Sequence, residues 1–282
     1  MKKANPRKKA NPRGECQLTY VAGVSWPRSG HHLLVRILQE YFGDKFQYCE
    51  FYTPEDCCRT FPCARPGTIK FSKNHDFDLN LEQYEDVNYI IQYREFIPAV
   101  VSNFELFVCN GEIDSEFSFR KFASMEWTKY QNFLEKWVTS PFGKRQFVLA
   151  YEEFTANPVS RMQEVIKLFV PDRPVDETRL HEITGQIVRI TTTNDGKRLP
   201  LNKGISNYRN PIDFRYYSQE LFEVLERLKL GRNEVEIVFQ RLLNRKPAEN
   251  NMLNLQCIPS IEALEKMLLN SDEYFKAAGV RR

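Results

Sequence analysis

The sequence predicts an α/β domain with a central parallel sheet flanked by helices, followed by a C-terminal helical extension. Three observations lead to this prediction. Short apolar, β-branched segments alternate along the chain with longer segments whose apolar residues recur at helical spacing. A tight polar loop joins the first strand-like segment to the first helix-like one, as at the opening of many α/β sheets. From about residue 216 onward the pattern is helical, and no strand-like segment follows.

The strand-like segments are short and rich in apolar, β-branched or aromatic residues. Four are present: 17–24, 67–72, 87–94 and 145–154. The helix-like segments carry apolar side chains every three or four positions. These are 31–42, 97–107, 116–138 and 159–169. Because strands alternate with helices, we expect the strands to be parallel and to end at the same edge of the sheet.

The two ends of the chain differ from this pattern. The first thirteen residues include six basic and no acidic residues, and prolines oppose a helix there, so 1–15 is expected to be a flexible basic tail. The α/β domain is expected over 16–232. A helical extension is expected over 233–282, with the boundary just after Gly231.

Composition excludes several classes of protein. The chain has 282 residues, 42% hydrophobic and 27% charged, which favours a packed core over disorder. The net charge of +3 arises from the basic tail, so no nucleic-acid partner is expected. No run of eighteen apolar residues is present, so no membrane span is expected. The basic N-terminus lacks the apolar segment of a signal peptide, and we expect a cytoplasmic protein.

Four of the seven cysteines lie close together in the sequence. They are Cys49, Cys57, Cys58 and Cys63. Their spacing differs from the paired Cys-x2-Cys pattern of structural zinc sites, so no metal is expected. Reduced loop thiols or a local disulfide are the favoured interpretations, and zinc is the minor alternative.

The first chemical motif is SWPRSGHHLL, residues 25–34, where a strand passes into a helix N-terminus. Such a junction presents free backbone N–H groups and the positive end of a helix dipole. Gly30 allows a ligand to approach the backbone, and Ser29, His31, His32 and Arg28 can donate hydrogen bonds. We expect a site for a phosphate-like anion, and an ordinary strand–helix turn is the alternative. The loop lacks the Gly-Lys-[Ser/Thr] of a Walker A motif.

A second motif places Arg94 at the end of a strand and Ser102 on the helix that follows. Ligands of open parallel sheets bind outside the carboxyl ends of the strands, so both side chains could contact one anion. A surface ion pair between Arg94 and Glu95 is the alternative. A third motif, Lys203 and Gly204 in a polar loop, could cover a phosphate or could simply be solvated.

A fourth motif is Lys73-Asn74-His75, just after a strand. The pKa of a histidine lies near neutrality, which suits it to act as a general base. A structural, hydrogen-bonded histidine is the alternative.

In order and spacing, these motifs resemble those of the sulfotransferases that use 3′-phosphoadenosine 5′-phosphosulfate (PAPS). Residues 27–32, PRSGHH, are similar to the loop that holds the 5′-phosphosulfate, and Arg94 with Ser102 is similar to the 3′-phosphate motif. Residues 73–75 resemble the Lys-x-His of the cytosolic branch, and residues 202–204 resemble its late Arg-Lys-Gly. The resemblance covers about residues 17–215.

Three positions differ from the cytosolic branch: Asn202 stands in place of Arg, Leu33 in place of an adenine-stacking Trp, and Arg28 in place of Lys. The chain therefore fits no single branch of the family. The resemblance implies a P-loop NTPase-like sulfotransferase fold, with PAPS as the sulfuryl donor and no required metal.

The resemblance also implies roles for individual residues. His75 would act as the general base, with a carboxylate, the base of other branches, as the alternative. Arg28 and Lys73 would neutralise charge at the reacting group. The residues expected to bind PAPS are Arg28, Ser29, Gly30, His31, His32, Leu33, Arg94, Ser102, Lys203 and Gly204. The acceptor is expected to be a small molecule or a carbohydrate.

Two other functions remain open from the sequence. The first is a P-loop-type nucleotide kinase or NTPase, which the missing Walker A motif disfavours. The second is a catalytically degenerate binding module, which the Asn202 substitution permits. The sequence predicts neither the acceptor nor the oligomeric state.

Overall fold

A five-stranded parallel sheet forms the centre of the computed structural model, which describes residues 17–52, 57–189 and 210–277. The strands, in chain order, are β1 (Val21–Ser25), β2 (Tyr48–Glu50), β3 (Phe71–Asn74), β4 (Tyr89–Tyr93) and β5 (Phe147–Ala150). Their order across the sheet is β2-β3-β1-β4-β5, and every neighbouring pair is parallel. The predicted α/β class with a central parallel sheet is confirmed.

Eleven α-helices accompany the sheet within the described ranges. They are α1 (His31–Phe42), α2 (Phe96–Cys109), α3 (Glu116–Phe133), α4 (Tyr151–Ala156), α5 (Pro158–Phe169), α6 (Glu177–Arg189), α7 (Gln219–Leu225), α8 (Arg232–Leu243), α9 (Met252–Gln256), α10 (Ile261–Leu269) and α11 (Asp272–Ala277). None of these helices combines the length and the apolar character that crossing a bilayer requires.

Alternating side chains of the strands pack into two separate cores, one on each face of the sheet. On one face Val21 of β1 and Ile90 of β4 pack against α1, α5 and α6. On the other face Ala22 and Ile91 pack against α2, α3 and α7. All five residues of β1 are buried, because this strand is central and covered on both faces.

The aromatic residues of α3 contribute mainly to the second core. Phe119 and Phe133 are fully buried there, together with Trp137 in the π-helical turn that follows α3. The 3.6-residue spacing of apolar side chains therefore determines which face of α3 packs into this core.

A third hydrophobic cluster lies in the C-terminal part of the chain. It contains side chains of α8, α9 and α10, including Val235, Met252 and Leu264, all of which are buried. Gly231 is the N-cap residue of α8, and its backbone N–H donates to the Glu234 carboxylate at 2.6 Å. The division into 16–232 and 233–282 stays a prediction, and the predicted tail 1–15 lies outside the described residues.

Several boundaries differ from the sequence predictions. The second predicted strand, 67–72, begins only at Phe71 and continues to Asn74. The fourth predicted strand, 145–154, is β5 only over Phe147–Ala150, and α4 begins at Tyr151. The helix predicted over 116–138 ends as an α-helix at Phe133. Neither β2 nor α6 was predicted.

Parallel pairing brings the ends of β1, β3 and β4 to one edge of the sheet. Val24 of β1 pairs with Asn74 of β3, and Ser25 pairs with Gln92 of β4. The loop after β1, His75 after β3 and Arg94 after β4 therefore lie next to one another.

Candidate functional site

A cavity of about 300 Å³ lies at this edge of the sheet. Ten of the residues named from the sequence line it: Arg28, Ser29, Gly30, His31, His32, Leu33, Lys73, His75, Arg94 and Ser102. The remaining two, Lys203 and Gly204, lie outside the described residues. Motifs that are up to 74 positions apart in the sequence thus meet around one space.

The loop between β1 and α1 is bent by two residues in the left-handed region. The φ angle is +64° at Arg28 and +79° at Gly30. Gly30 is the N-cap residue of α1, and no side chain caps that helix, so its first N–H groups remain available. A Cβ atom at Gly30 would lie 2.6 Å from the Tyr151 ring, so the position requires glycine.

Ser29 contributes a buried polar atom that has no partner among the described residues. This residue is 1% exposed, and its Oγ makes no hydrogen bond to the part of the chain that the structure describes. A buried hydroxyl without a partner costs free energy, and such groups are rare in native structures. A ligand oxygen in the cavity would supply the missing partner.

Two guanidinium groups reach the cavity from different loops. The Nε of Arg28 donates to the Ser102 Oγ at 2.9 Å. Arg94 lies over the Tyr151 ring, 4.3 Å from its centre, and its Nε is 3.7 Å from the Glu152 carboxylate. Within the described ranges, the buried Arg94 Nε makes no hydrogen bond. Burial, and next the charge of Arg94, lower the pKa of Arg28.

These contacts add partners that the sequence did not predict. Ser102 pairs with Arg28, and the carboxylate beside Arg94 belongs to Glu152 rather than to Glu95, its partner in the alternative interpretation. Both guanidinium groups still line the same cavity, where an anion would relieve their mutual repulsion.

The described lining of the cavity is strongly cationic. It includes Arg28, Arg36, Lys73 and Arg94 but no aspartate or glutamate. A concave surface lined by one sign of charge raises the local concentration of ligands of the opposite sign. The cavity is therefore suited to an anion with more than one charged group.

The imidazole of His75 is held in one tautomer. Its Nδ1 lies 2.6 Å from the carbonyl oxygen of Ser25 and so donates its proton there. Its Nε2 then carries the lone pair and accepts from the Lys73 Nζ at 2.5 Å. Burial and the adjacent Lys73 charge lower the pKa of His75 to about 3, so the ring is neutral at pH 7.

Tyr52 and Asp76 hold the segment that carries His75. The Tyr52 hydroxyl accepts from the His75 backbone N–H at 2.9 Å and donates to the Asn74 Oδ1 at 2.8 Å. The buried Asp76 carboxylate accepts from the Lys136 Nζ and the Trp137 Nε1, both at 2.7 Å. The loop after β3 is thus fixed on both sides of the imidazole.

A further polar chain, which the sequence analysis missed, extends from α1 to Lys73. The buried His31 ring has its Nε2 2.7 Å from the Tyr48 hydroxyl, which contacts Glu50 at 2.5 Å. Glu50 is in turn 3.3 Å from the Lys73 Nζ. The Nδ1 of His31 lies 3.1 Å from Gln92. Both ring nitrogens of His31 are therefore engaged within the protein.

Burial lowers the pKa of Lys73, and Glu50 opposes that shift. Tyr48 and Glu50 lie on the same face of β2, two residues apart, but the sequence carried no strand-like pattern there. The only indication in the sequence of a contact with Lys73 was that acidic and aromatic residues precede the strand β3, which contains it.

No family model matches the chain, and no curated protein matches it significantly. Within the ranges that the structure describes, no three His, Cys, Asp or Glu side chains are grouped so as to hold a metal ion.

Proposed function

We propose that the cavity binds PAPS and that the protein is a sulfotransferase acting on a hydroxyl or amine acceptor. The observation that carries this proposal is the charge of the cavity: four cations and no carboxylate among its described lining residues. The order and spacing of the motifs, which resemble those of PAPS-dependent sulfotransferases, favour this anion over others.

The residues present suit a donor with two anionic ends. The loop from Arg28 to Leu33 offers the free N–H groups at the start of α1 and the unpartnered Ser29 hydroxyl to a phosphosulfate. The guanidinium of Arg94 has a buried Nε that finds no hydrogen-bond partner among residues 17–52, 57–189 and 210–277, and it is suited to a phosphate at the other end. The absence of a side chain at Gly30 makes room for the Tyr151 ring, over which the Arg94 guanidinium lies.

Bound PAPS would supply an activated sulfuryl group, whose bond to the phosphate oxygen breaks as a new bond forms to the acceptor. Little covalent work then falls to the protein, and positioning and charge neutralisation dominate. Arg28 and Lys73 would neutralise negative charge around the transferred group.

His75 would accept the proton of the acceptor on Nε2. The hydrogen bond from Nδ1–H to the Ser25 carbonyl fixes the tautomer that leaves Nε2 basic. Lys73 occupies this lone pair in the structure. A negatively charged group beside Lys73 would attract its ammonium away from the imidazole, which frees Nε2 and raises the pKa of His75.

The catalytic role of His75 is tested by steady-state sulfuryl transfer from PAPS to a panel of carbohydrates and small alcohols. We expect His75→Ala to reduce kcat by roughly 10²–10⁴-fold, the usual contribution of a general base. Binding of 3′-phosphoadenosine 5′-phosphate, measured by calorimetry, should change little, which shows that the cavity is intact. If His75→Ala retains the wild-type kcat, the base is a different group, and a carboxylate becomes the candidate.

A further inference from the structure

The four clustered cysteines form a compact thiol cluster next to the edge strand β2. Cys49 and Cys63 are buried and pack with Ile69, and Cys57 and Cys58 lie against them. This thiol cluster, defined by Cys49, Cys57, Cys58 and Cys63, has no part in the anion cavity, whose described lining contains no cysteine.

The contacts within the thiol cluster divide into two pairs. The Sγ of Cys49 lies 3.6 Å from the Sγ of Cys57, and the Sγ of Cys58 lies 3.4 Å from the Sγ of Cys63. The adjacent residues 57 and 58 thus contact different partners. In a disulfide the two sulfurs are about 2.05 Å apart, so each pair needs a sulfur movement of roughly 1.5 Å to join.

The four thiols differ in their readiness to react. Burial, which raises the pKa of Cys58, is outweighed by hydrogen bonds involving Thr60 and the Ala64 backbone, and the pKa falls to about 6. Burial raises the pKa of Cys49 to about 12 and also raises that of Cys63. A thiolate is the reactive form, so Cys58 is the member that attacks first at neutral pH.

We propose that this thiol cluster is a redox modification site in which Cys58 forms a disulfide with Cys63 and Cys49 forms one with Cys57. The pairwise contacts favour this chemistry over metal binding. Nor do the described residues contain three His, Cys, Asp or Glu side chains arranged to hold an ion. The inference is independent of the proposed transferase activity.

The oxidant is a low-molecular-weight disulfide such as oxidised glutathione. The Cys58 thiolate attacks one sulfur of that disulfide, forms a mixed disulfide and releases one glutathione thiolate. Cys63 then loses its proton, attacks the Cys58 sulfur and releases the second glutathione. Each pair therefore loses two protons and two electrons, which appear in two molecules of reduced glutathione.

The first pair also connects to the strand behind the site. Cys49 lies in β2 between Tyr48, which contacts His31, and Glu50, which contacts Lys73. A bond from Cys49 to Cys57 ties the connection after β2 back onto the strand that carries these two residues.

The pairing is tested on the full-length protein equilibrated with oxidised and reduced glutathione, blocked with N-ethylmaleimide and digested with trypsin under denaturing conditions. Trypsin cleaves after Lys45, Arg59 and Lys70 but not at the Arg65-Pro66 bond, which yields peptides 46–59 and 60–70. Peptide 46–59 holds three of the four cysteines, and peptide 60–70 holds Cys63. In oxidising buffer we expect the two peptides to be joined, with no alkylated cysteine in either.

Two matched double variants identify the partners. The double variant Cys49→Ser with Cys57→Ser leaves Cys58 and Cys63 as the two thiols of the cluster, and the two peptides should remain joined after oxidation. The double variant Cys49→Ser with Cys58→Ser leaves Cys57 and Cys63 as the two thiols of the cluster. Both should be alkylated, and the two peptides should be recovered separately. Cys109, which is exposed at the end of α2, serves as the reference thiol that is alkylated under every condition.

Three results would overturn the proposal. In the first, all four thiols remain alkylated across the redox series. In the second, the variant that retains 57 and 63 is joined as efficiently as the one that retains 58 and 63. In the third, the purified protein contains stoichiometric zinc, shown by elemental analysis, and its four thiols become alkylated only after chelation.

Discussion

Replacement of Gly30 by alanine perturbs the centre of the site in a way that can be worked out from the structure. The φ angle of +79° places this residue in the left-handed region, which costs an alanine about 1–2 kcal/mol. The new Cβ would also lie 2.6 Å from Tyr151 Cδ2 and 2.8 Å from Tyr151 Cε2. Displacing a packed ring costs about 1–3 kcal/mol more.

The expected loss for Gly30→Ala is therefore about 2–5 kcal/mol, against a total stability of about 5–15 kcal/mol for a typical domain. Gly111→Ala is the matched control. Its φ is +98°, but no atom of the described part of the chain lies within 4 Å of the added Cβ, so only the backbone cost remains. The free energy of unfolding of each variant is measured by urea denaturation followed by circular dichroism.

The same substitution should reach the proposed ligand through Tyr151. The Arg94 guanidinium lies over this ring, so a displaced ring moves Arg94 as well. We expect Gly30→Ala, but not Gly111→Ala, to weaken the binding of 3′-phosphoadenosine 5′-phosphate. An equal loss of stability in the two variants would show that the contact with Tyr151 carries no energetic cost and would refute this reasoning.

Two further changes test how the segment that carries His75 is held. Asp76→Asn removes the negative charge that accepts hydrogen bonds from Lys136 and Trp137. We expect the free energy of unfolding, measured by urea denaturation, to fall by roughly 2–5 kcal/mol. A loss below about 0.5 kcal/mol would contradict a structural role for Asp76. Burial and Lys73 hold the pKa of His75 near 3, below its unfolded value of about 6.5, so the unfolded chain binds the extra proton between these pH values. The stabilising contribution of neutral His75 to the free energy of unfolding should be fully present above pH 6.5 and be lost as the pH falls toward 3. In His75→Gln the free energy of unfolding should depend less steeply on pH over this range. Identical slopes in the variant and the wild type would contradict the prediction.

The parts of the fold that the sequence predicted are those with strong apolar patterning. In β1 and β4 consecutive apolar residues are buried on both faces, and in α1 and α5 the apolar face has the helical period. The sequence predicts the strand β3 too early in the chain, at 67–72. The reason is that the strand ends in Ser72, Lys73 and Asn74, which are polar although they are buried. Their burial depends on partners far away in the sequence, such as Tyr20, whose hydroxyl lies 2.6 Å from the Ser72 Oγ.

The elements that were missed are short or polar. The strand β2 has three residues, Tyr48–Glu50, too few to show alternation. Its place at the sheet edge follows from pairing with β3, which no local pattern reveals. In α6, Glu177–Arg189, charged residues and a glycine weaken the helical pattern, although Leu180 is fully buried in the first core.

Ten of the twelve residues that the sequence assigned to the candidate site line one cavity, but the contacts among them were not predictable. The rule that parallel strands present their ends at one edge is sufficient to bring the loop after β1 close to His75 and Arg94. The pairing of Arg28 with Ser102, and that of Lys73 with Glu50, depends on side-chain conformations that the sequence does not specify. For the same reason the sequence could not show that the His31 ring is engaged by Tyr48 and Gln92.

The most direct test of the central claim is a calorimetric titration of the purified protein with 3′-phosphoadenosine 5′-phosphate in the presence of a chelator. We expect one site per chain and an affinity that falls as salt is raised, because the lining of the cavity is cationic. Arg94→Ala should weaken binding by at least about tenfold, since a charge-assisted contact contributes about 1.5–3 kcal/mol. The control Arg120→Ala, at a surface ion pair with Glu116, should bind as the wild type does. Absence of binding, or binding of ATP that requires Mg²⁺ in preference to this ligand, would contradict the proposed function.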